Sequence, residues 1–294
     1  MTLLSDVNLR ATAIVAASGL LWGLYWLPVR AIEDRGLAGA WGTAAITVLA
    51  AALLAPVAWR QRAALLAASP LALVSVAVGG LAFGLYSVSL VYGRVAIVIL
   101  LYFLTPVWST LIARYFLGWP VTRLRLASIG VGLLGLFAML GAGGAVPVPR
   151  GTGEWMGLIA GILWSVGTTG IRTRSVLPPG ASAFVFALGA AAGALALAPI
   201  LAPWPGPSAD AGGILALTAA TAALWWGLSI ALLLWATARL EPARVGILLM
   251  TEVLVGALSA ALIAGEALSS LEMAGGALVL TAGIMEVWPR RARG

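Results

Sequence analysis

Residues 19–30 read GLLWGLYWLPVR and residues 161–172 read GILWSVGTTGIR. Gly, Leu, Trp and Arg coincide at four places, and four more places hold near-matches (Leu/Ile, Gly/Ser, Leu/Val, Val/Ile). The stretches lie 142 residues apart in a chain of 294, so the second copy begins close to the midpoint. An apolar segment written twice, each time with a tryptophan in its middle, points to a duplicated architecture.

Working outward, the chain is 62% hydrophobic and 9% charged, with a mean hydropathy of +1.06. A soluble domain carries about 25% charged residues, so this chain lacks the polar side chains to cover itself in water. It reads as a polytopic membrane protein. Cys and His are absent, which excludes disulfides, Cys/His metal sites, thiol nucleophiles and imidazole relays. No cofactor and no metal is expected. The formal charge of +7 comes from arginine alone, because there is no lysine. Those arginines stand singly and in pairs between apolar segments, without a basic arm, so nucleic acid is not an expected partner. Arginine without lysine, beside abundant Ala and Gly, suggests a GC-rich coding sequence and hence a bacterial inner membrane.

About 20 apolar residues span a bilayer as a helix. Punctuation by Arg, Pro and Gly clusters marks ten such runs, near 11–29, 39–58, 70–92, 95–117, 124–142, 153–171, 181–202, 211–237, 243–264 and 270–288. Gly93-Arg94 is the only break between the third and fourth, a tight turn that makes them antiparallel neighbours. The link GGAVPVPRGT at 143–152 is rich in helix breakers and falls between the halves. With the N-terminus inside, thirteen arginines fall on inner segments, including Arg290, Arg291 and Arg293. Only Arg30, Arg35, Arg94 and Arg150 fall outside. The positive-inside rule therefore places both termini in the cytoplasm. The first run lacks the basic start and small-residue end of a signal peptide.

A second internal match joins the first. VYGRVAIVILLYFLTPVWSTLIARYFLG, ending at Gly118, precedes ATARLEPARVGILLMTEVLVGALSAALIAG, ending at Gly265, by 147 residues, with Ala96 against Ala243. The expected fold is thus all-α, ten transmembrane helices in two five-helix repeats, residues 1–148 and 149–294. Because five is odd, the second repeat is inverted across the membrane. That plan recurs in secondary transporters, whose substrate site lies near the midplane between the repeats.

LLWG at 20–23, PVWSTLIARYFLGW at 106–119 and TEVLVGALSAALIAGE at 251–266 resemble the drug/metabolite transporter superfamily. More narrowly they are similar to its ten-helix EamA-type exporters, including the branch that exports aromatic amino acids. The most specific element is the apolar helix closing on Gly265-Glu266. The first repeat departs from it, with Gly118-Trp119 in the same place. The resemblance implies a transporter of amino acids, metabolites, drugs, sugar phosphates or nucleotide sugars, and leaves the substrate open.

Candidate site residues follow from what lipid penalises. Gly19/Gly23, Gly80/Gly84, Gly157/Gly161 and Gly189/Gly193 have the spacing that lets helices approach closely and read as packing. Trp41, Trp59, Trp119, Trp155, Trp204, Trp235 and Trp288 lie at span ends, as an aromatic belt requires. Trp22, Trp164, Trp225 and Trp226 lie near mid-span, where an indole N–H needs a partner. Of these, Trp22, Trp164 and Trp225 are taken as substrate contacts, with Tyr86, Tyr102 and Thr105. Packing between helices is the competing explanation. Pro28 and Pro106 are expected to kink their helices, freeing the carbonyls of Leu24 and Tyr102. Glu252 is the one acid at mid-span; Glu154, Glu266, Glu272 and Glu286 lie near ends. A mid-bilayer charge costs about 2.5–3.5 kcal/mol on insertion scales, so Glu252 is a candidate for proton coupling or for binding a substrate amine. A buried neutral acid between helices is the alternative.

No arginine lies at a helix centre, whereas a carrier of phosphate esters needs basic groups there. The expected partners are the bilayer and a small neutral, zwitterionic or cationic molecule with an apolar body, exported by alternating access. Amino acids, aromatic ones included, fit first. Drugs or cationic metabolites moved by proton antiport are the alternative, and a membrane-embedded transferase or a lipid scramblase is remote. No nucleotide-binding GxxxxGK[ST] occurs, and enzymatic function is not expected. The chain is expected to act as a monomer, with a dimer as the alternative.

Overall fold

The computed structural model describes residues 2–118, 122–142, 144, 146–174, 177–237, 239–240 and 242–287. Trp119, Trp288, Arg290, Arg291 and Arg293, invoked above, lie outside the described residues, as do the side chains of Arg125, Arg172, Arg174 and Arg244. Every regular element described is helical. The helices are α1 (Thr2–Gly23), α2 (Trp26–Asp34), α3 (Ala40–Arg60), α4 (Arg62–Ala67), α5 (Pro70–Tyr92), α6 (Val95–Tyr102) and α7 (Thr105–Tyr115). They continue with α8 (Arg123–Leu140), α9 (Thr152–Arg174), α10 (Pro179–Leu201) and α11 (Ala211–Thr221). A π-helical segment, Ala222–Ser229, then leads into α12 (Ile230–Thr237), α13 (Pro242–Leu262) and α14 (Ser270–Val287). Each apolar run read from the sequence is helical, and α4 is an added short surface helix with no buried residue.

Six helical stretches are long and apolar enough to cross a membrane: Val7–Asp34, Ala40–Arg60, Pro70–Tyr92, Val95–Tyr115, Pro179–Leu201 and Ala211–Leu233. Shorter apolar helices cover Leu126–Leu140, Leu248–Leu262 and Ser270–Met285. The ends carry local stop and start signals. Ser69 caps α5 by accepting from the Ala72 N–H, with Pro70 in the first turn. Asp210 caps α11 through the Gly213 N–H. Gly118 and Gly265, which follow α7 and α13, both take left-handed backbone at φ 65° and 66°, a conformation that costs glycine nothing.

Two of the long stretches are broken rather than kinked. The first splits at Leu24–Tyr25 and the fourth at Phe103–Leu104. Pro28 and Pro106 were expected to bend continuous helices. Instead they sit in the first turns of α2 and α7, where a missing N–H leaves no ladder bond unmade. The Leu24 carbonyl is not left free, since it accepts from the Leu27 N–H at 3.1 Å.

The paired glycines do what their spacing predicts. A Cβ on Gly80 would lie 1.9 Å from the Phe186 carbonyl oxygen, and one on Gly189 2.1 Å from that of Ala77, so α5 and α10 meet backbone to backbone. Gly84 and Gly193 continue that seam against Ala190 and Leu81. Gly157 and Gly161 lie against the carbonyls of Val98 and Tyr102 on α6. Gly19 and Gly23 lie against Leu248–Glu252 and Glu252–Gly256 on α13. In lipid there is no hydrophobic drive between helices, and such close approach supplies the dispersion contacts that replace it. The most extensive packing is α5 on α9, followed by α8 on α14, α10 on α5 and α3, and α1 on α13.

Candidate functional site

The break between α1 and α2 projects three aromatic side chains, and each spends its polar atom on a different helix. Trp22 Nε1 donates to Ser229 Oγ at 2.9 Å, at the end of the π-helical segment. The Tyr25 hydroxyl shares a 3.0 Å hydrogen bond with Ser87 Oγ on α5, which is itself 2.9 Å from Thr43 Oγ1 on α3. Trp26 Nε1 donates to Ser259 Oγ on α13 at 2.9 Å. The π-helical segment returns the contact: Trp225 Nε1 donates to the Leu21 carbonyl at 2.9 Å and Trp226 Nε1 to the Tyr25 hydroxyl at 3.2 Å. One extra residue in a helical turn shifts the register of the side chains that follow, and here neighbouring tryptophans both reach the α1–α2 break.

Trp22, Tyr25, Trp225 and Trp226 form one side of a continuous aromatic cluster whose hub is Phe83 on α5. The Phe83 ring centroid lies 4.7 Å from Trp22, 5.5 Å from Tyr86, 5.5 Å from Trp226, 6.1 Å from Trp164, 6.1 Å from Phe186 and 6.3 Å from Tyr102. Tyr86 and Tyr102 stack at 4.3 Å with 24° between planes. The remaining contacts are mostly edge-on or tilted, as ring quadrupoles prefer. Trp164 closes the other side, near Tyr102 at 6.1 Å and Phe186 at 6.0 Å. The repeated tryptophans of the two copies thus meet the same phenylalanine from different helices.

Of the residues chosen from the sequence, Trp22, Tyr86, Tyr102 and Trp164 lie in this cluster. Trp225 is only half-buried and touches its edge at Tyr25, 6.2 Å away. Its neighbour Trp226, 2% exposed, holds the interior place instead. The adjacent indoles are equivalent in the sequence, and only the π-helical register decides which turns inward. Thr105 opens α7 at the helix break, half-buried, and its carbonyl accepts from Ser165 Oγ on α9 at 3.1 Å. Phe83, Tyr25 and Phe186 were missed. Phe83 was discoverable as a mid-span aromatic one turn before Tyr86, whereas Phe186 and Tyr25 carry no signal beyond their type.

Glu252 lies on α13 where Gly19 and Gly23 of α1 press against its backbone. It is 8% exposed, and its Oε1 is buried with no hydrogen-bond partner among the described residues. The described residues hold no group of three or more acidic side chains suited to a metal ion. At the span ends, Trp59, Trp155, Trp204 and Trp235 are exposed, and Trp41 meets Trp204 edge-on at 4.6 Å. Arg62 and Arg239 stack over Trp59 and Trp235. A groove of about 640 Å³ between α13 and α14, walled by Leu254, Leu258, Met273 and Leu280, lies apart from the aromatic cluster.

Apolar spanning helices around a buried aromatic and hydroxyl-lined centre define a multi-pass membrane protein. Residues 9–141 match the model of the EamA-like transporter family, a family of transporters rather than enzymes. One solved crystal structure is similar over 94% of this chain and 95% of its own, with a TM-score of 0.59 and 19% identity, a likeness of fold. No curated protein matches the chain.

Proposed function

We propose that the protein is a secondary exporter of small amphiphilic metabolites, amino acids including aromatic ones, acting by alternating access across a bacterial inner membrane. Ten spans are arranged as two inverted repeats, residues 1–148 and 149–294, with both termini cytoplasmic. The protein works as a monomer. The observation that carries this reading is the buried aromatic cluster around Phe83, assembled from α1, α5, α6, α9, α10 and the π-helical segment with no arginine in it. Aromatic faces and tyrosine hydroxyls suit a molecule with an apolar body and polar ends.

Details of packing support the repeat. Gly19 faces Leu248–Glu252 on α13, while its counterpart Gly161 faces Leu101–Tyr102 on α6. The 147-residue offset carries Tyr102 to Leu249, inside the matching contact. The same offset carries α6's first residue, Val95, to Pro242 and α7's last, Tyr115, to Leu262, which are the ends of α13. Pairings α3 with α10 and α8 with α14 are each their own image under the exchange.

The test is a competition panel in proteoliposomes: labelled Phe, Trp, Thr and Met on the inside, with drugs and nucleotide sugars as competitors. Release above empty-liposome leak, suppressed by aromatic amino acids, supports the reading; release of none of them removes it. A second reading, proton antiport of cationic or neutral drugs, draws on the unpartnered Glu252 oxygen. Under that reading Glu252→Gln abolishes pH-gradient-driven transport. Equal, pH-insensitive transport by parent and variant removes Glu252 from the mechanism.

A further inference from the structure

At the end of the molecule where α5 turns into α6, a polar network joins segments from opposite halves of the chain. Glu266, in the loop after α13, is one-tenth exposed. Its Oε1 accepts from the Val95 N–H at 2.7 Å and its Oε2 from the Ala96 N–H at 3.1 Å. These are the first two amides of α6, which have no partner within their own helix. A carboxylate there also meets the positive end of the helix dipole.

Arg30 on α2 reaches the same carboxylate at 3.5 Å while donating to the carbonyls of Leu90 at 2.9 Å and Gly93 at 2.8 Å. Arg94, in the turn itself, bonds Glu272 on α14 at 2.5 Å and the Ala267 carbonyl at 2.7 Å. Glu272 holds Arg94 above its ordinary pKa, chiefly through that hydrogen bond. Arg30 and Arg94 belong to the first half, Glu266 and Glu272 to the second.

The chain's own repeat supplies the contrast. The offset that relates Gly118 to Gly265 relates Trp119 to Glu266, and Val95 to Pro242. Tryptophan has no carboxylate to accept, and proline has no N–H to donate. The acceptor therefore has no chemical equivalent in the other copy, and of its two amide donors only Ala96 has one, at Ala243. A sequence that wrote the flanking glycine twice supplied this connection once.

We propose that Glu266, backed by Arg30, Arg94 and Glu272, is a one-sided latch that holds the two halves together at the α5–α6 end and sets which side of the transporter is closed at rest. By the arginine count this is the outer side, so the resting protein opens to the cytoplasm. The inference rests on the alternating-access reading. Its chemistry is reversible: on opening, water takes the place of the carboxylate's backbone and guanidinium donors.

The chain has no cysteine, so single introduced thiols report without background. Ser89 on α5 is fully buried, one turn from Tyr86 toward the latch, and Ser89→Cys changes one atom. In sealed proteoliposomes, an impermeant maleimide is expected to label this cysteine on the order of tenfold faster in Glu266→Gln than in the parent, the weak end of the range for losing a charge-assisted hydrogen bond. A spin-label pair at Asp34 and Ser270, both exposed, is expected to gain a longer-distance population in the same variant. Glu272→Gln, which removes Arg94's carboxylate partner and leaves the α6 amides capped, is expected to move both readouts the same way by less, and it stands in if Glu266→Gln does not fold. Unchanged labelling and unchanged distance in a folded variant overturn the latch and leave Glu266 a local helix cap. Neither readout uses a substrate, so a parent protein that moves no solute refutes the transport reading separately.

Discussion

Replacing Glu252 by methionine separates stability from function with opposite signs. The carboxyl is 8% exposed and its Oε1 has no hydrogen-bond partner among the described residues. Leaving a buried polar atom unsatisfied costs about 1–3 kcal/mol. Methionine has nearly the length of glutamate and no strong polar atom, so Glu252→Met removes that cost while leaving little void. The expected gain is therefore about 1–3 kcal/mol, or roughly a 5- to 150-fold shift in the folding equilibrium. Glu252→Gln puts another polar group in the same place and is expected to show no such gain. Equilibrium unfolding in bicelles, followed by the fluorescence of the buried tryptophans, measures all three proteins. If Glu252 serves transport, the stabilised Glu252→Met protein exports at the rate of empty liposomes. A methionine variant less stable than the parent would show that the carboxyl has a bonding partner in the bilayer and would refute the reasoning.

Further outcomes are expected elsewhere. Trp22→Phe keeps the ring packed on Phe83 but leaves Ser229 without its donor; a loss of about 1 kcal/mol in the same unfolding assay is expected, and no loss would show the bond to be immaterial. Gly80→Ala forces a methyl to 1.9 Å from the Phe186 carbonyl oxygen, so α5 and α10 must part at a cost of about 1–3 kcal/mol. Gly212→Ala meets nothing within 4 Å and is expected to stabilise α11 by up to about 1 kcal/mol; equal effects of the two alanines would break the backbone-contact account. For topology, a cysteine at exposed Asn8 is expected to label only from the cytoplasmic face and one at Ser270 only from the opposite face. Labelling of both from one side would reverse the inverted arrangement.

Hydropathy made the helices legible because lipid imposes a single rule: every backbone polar group must be satisfied within its own segment. That rule acts locally, so the apolar runs, the Gly93-Arg94 turn and the glycine seams could be read residue by residue. Mid-span Trp22, Trp164, Tyr86 and Tyr102 stood out because an indole or phenol inside a bilayer needs a partner.

What that partner is, and which ring turns inward, was beyond any local rule. Trp225 and Trp226 differ by one position, and the π-helical register of Ala222–Ser229 assigns the interior to Trp226. The Trp22–Ser229 and Trp26–Ser259 bonds span 207 and 233 residues, distances over which composition and periodicity carry no pairing information. Glu266 illustrates the same division. The sequence by itself determined that a Gly-Glu follows the apolar helix α13 and that Gly-Trp follows α7; only tertiary structure decided that this carboxylate reaches across to the unpaired amides of α6, because those amides are donors whose acceptor must come from elsewhere in the fold.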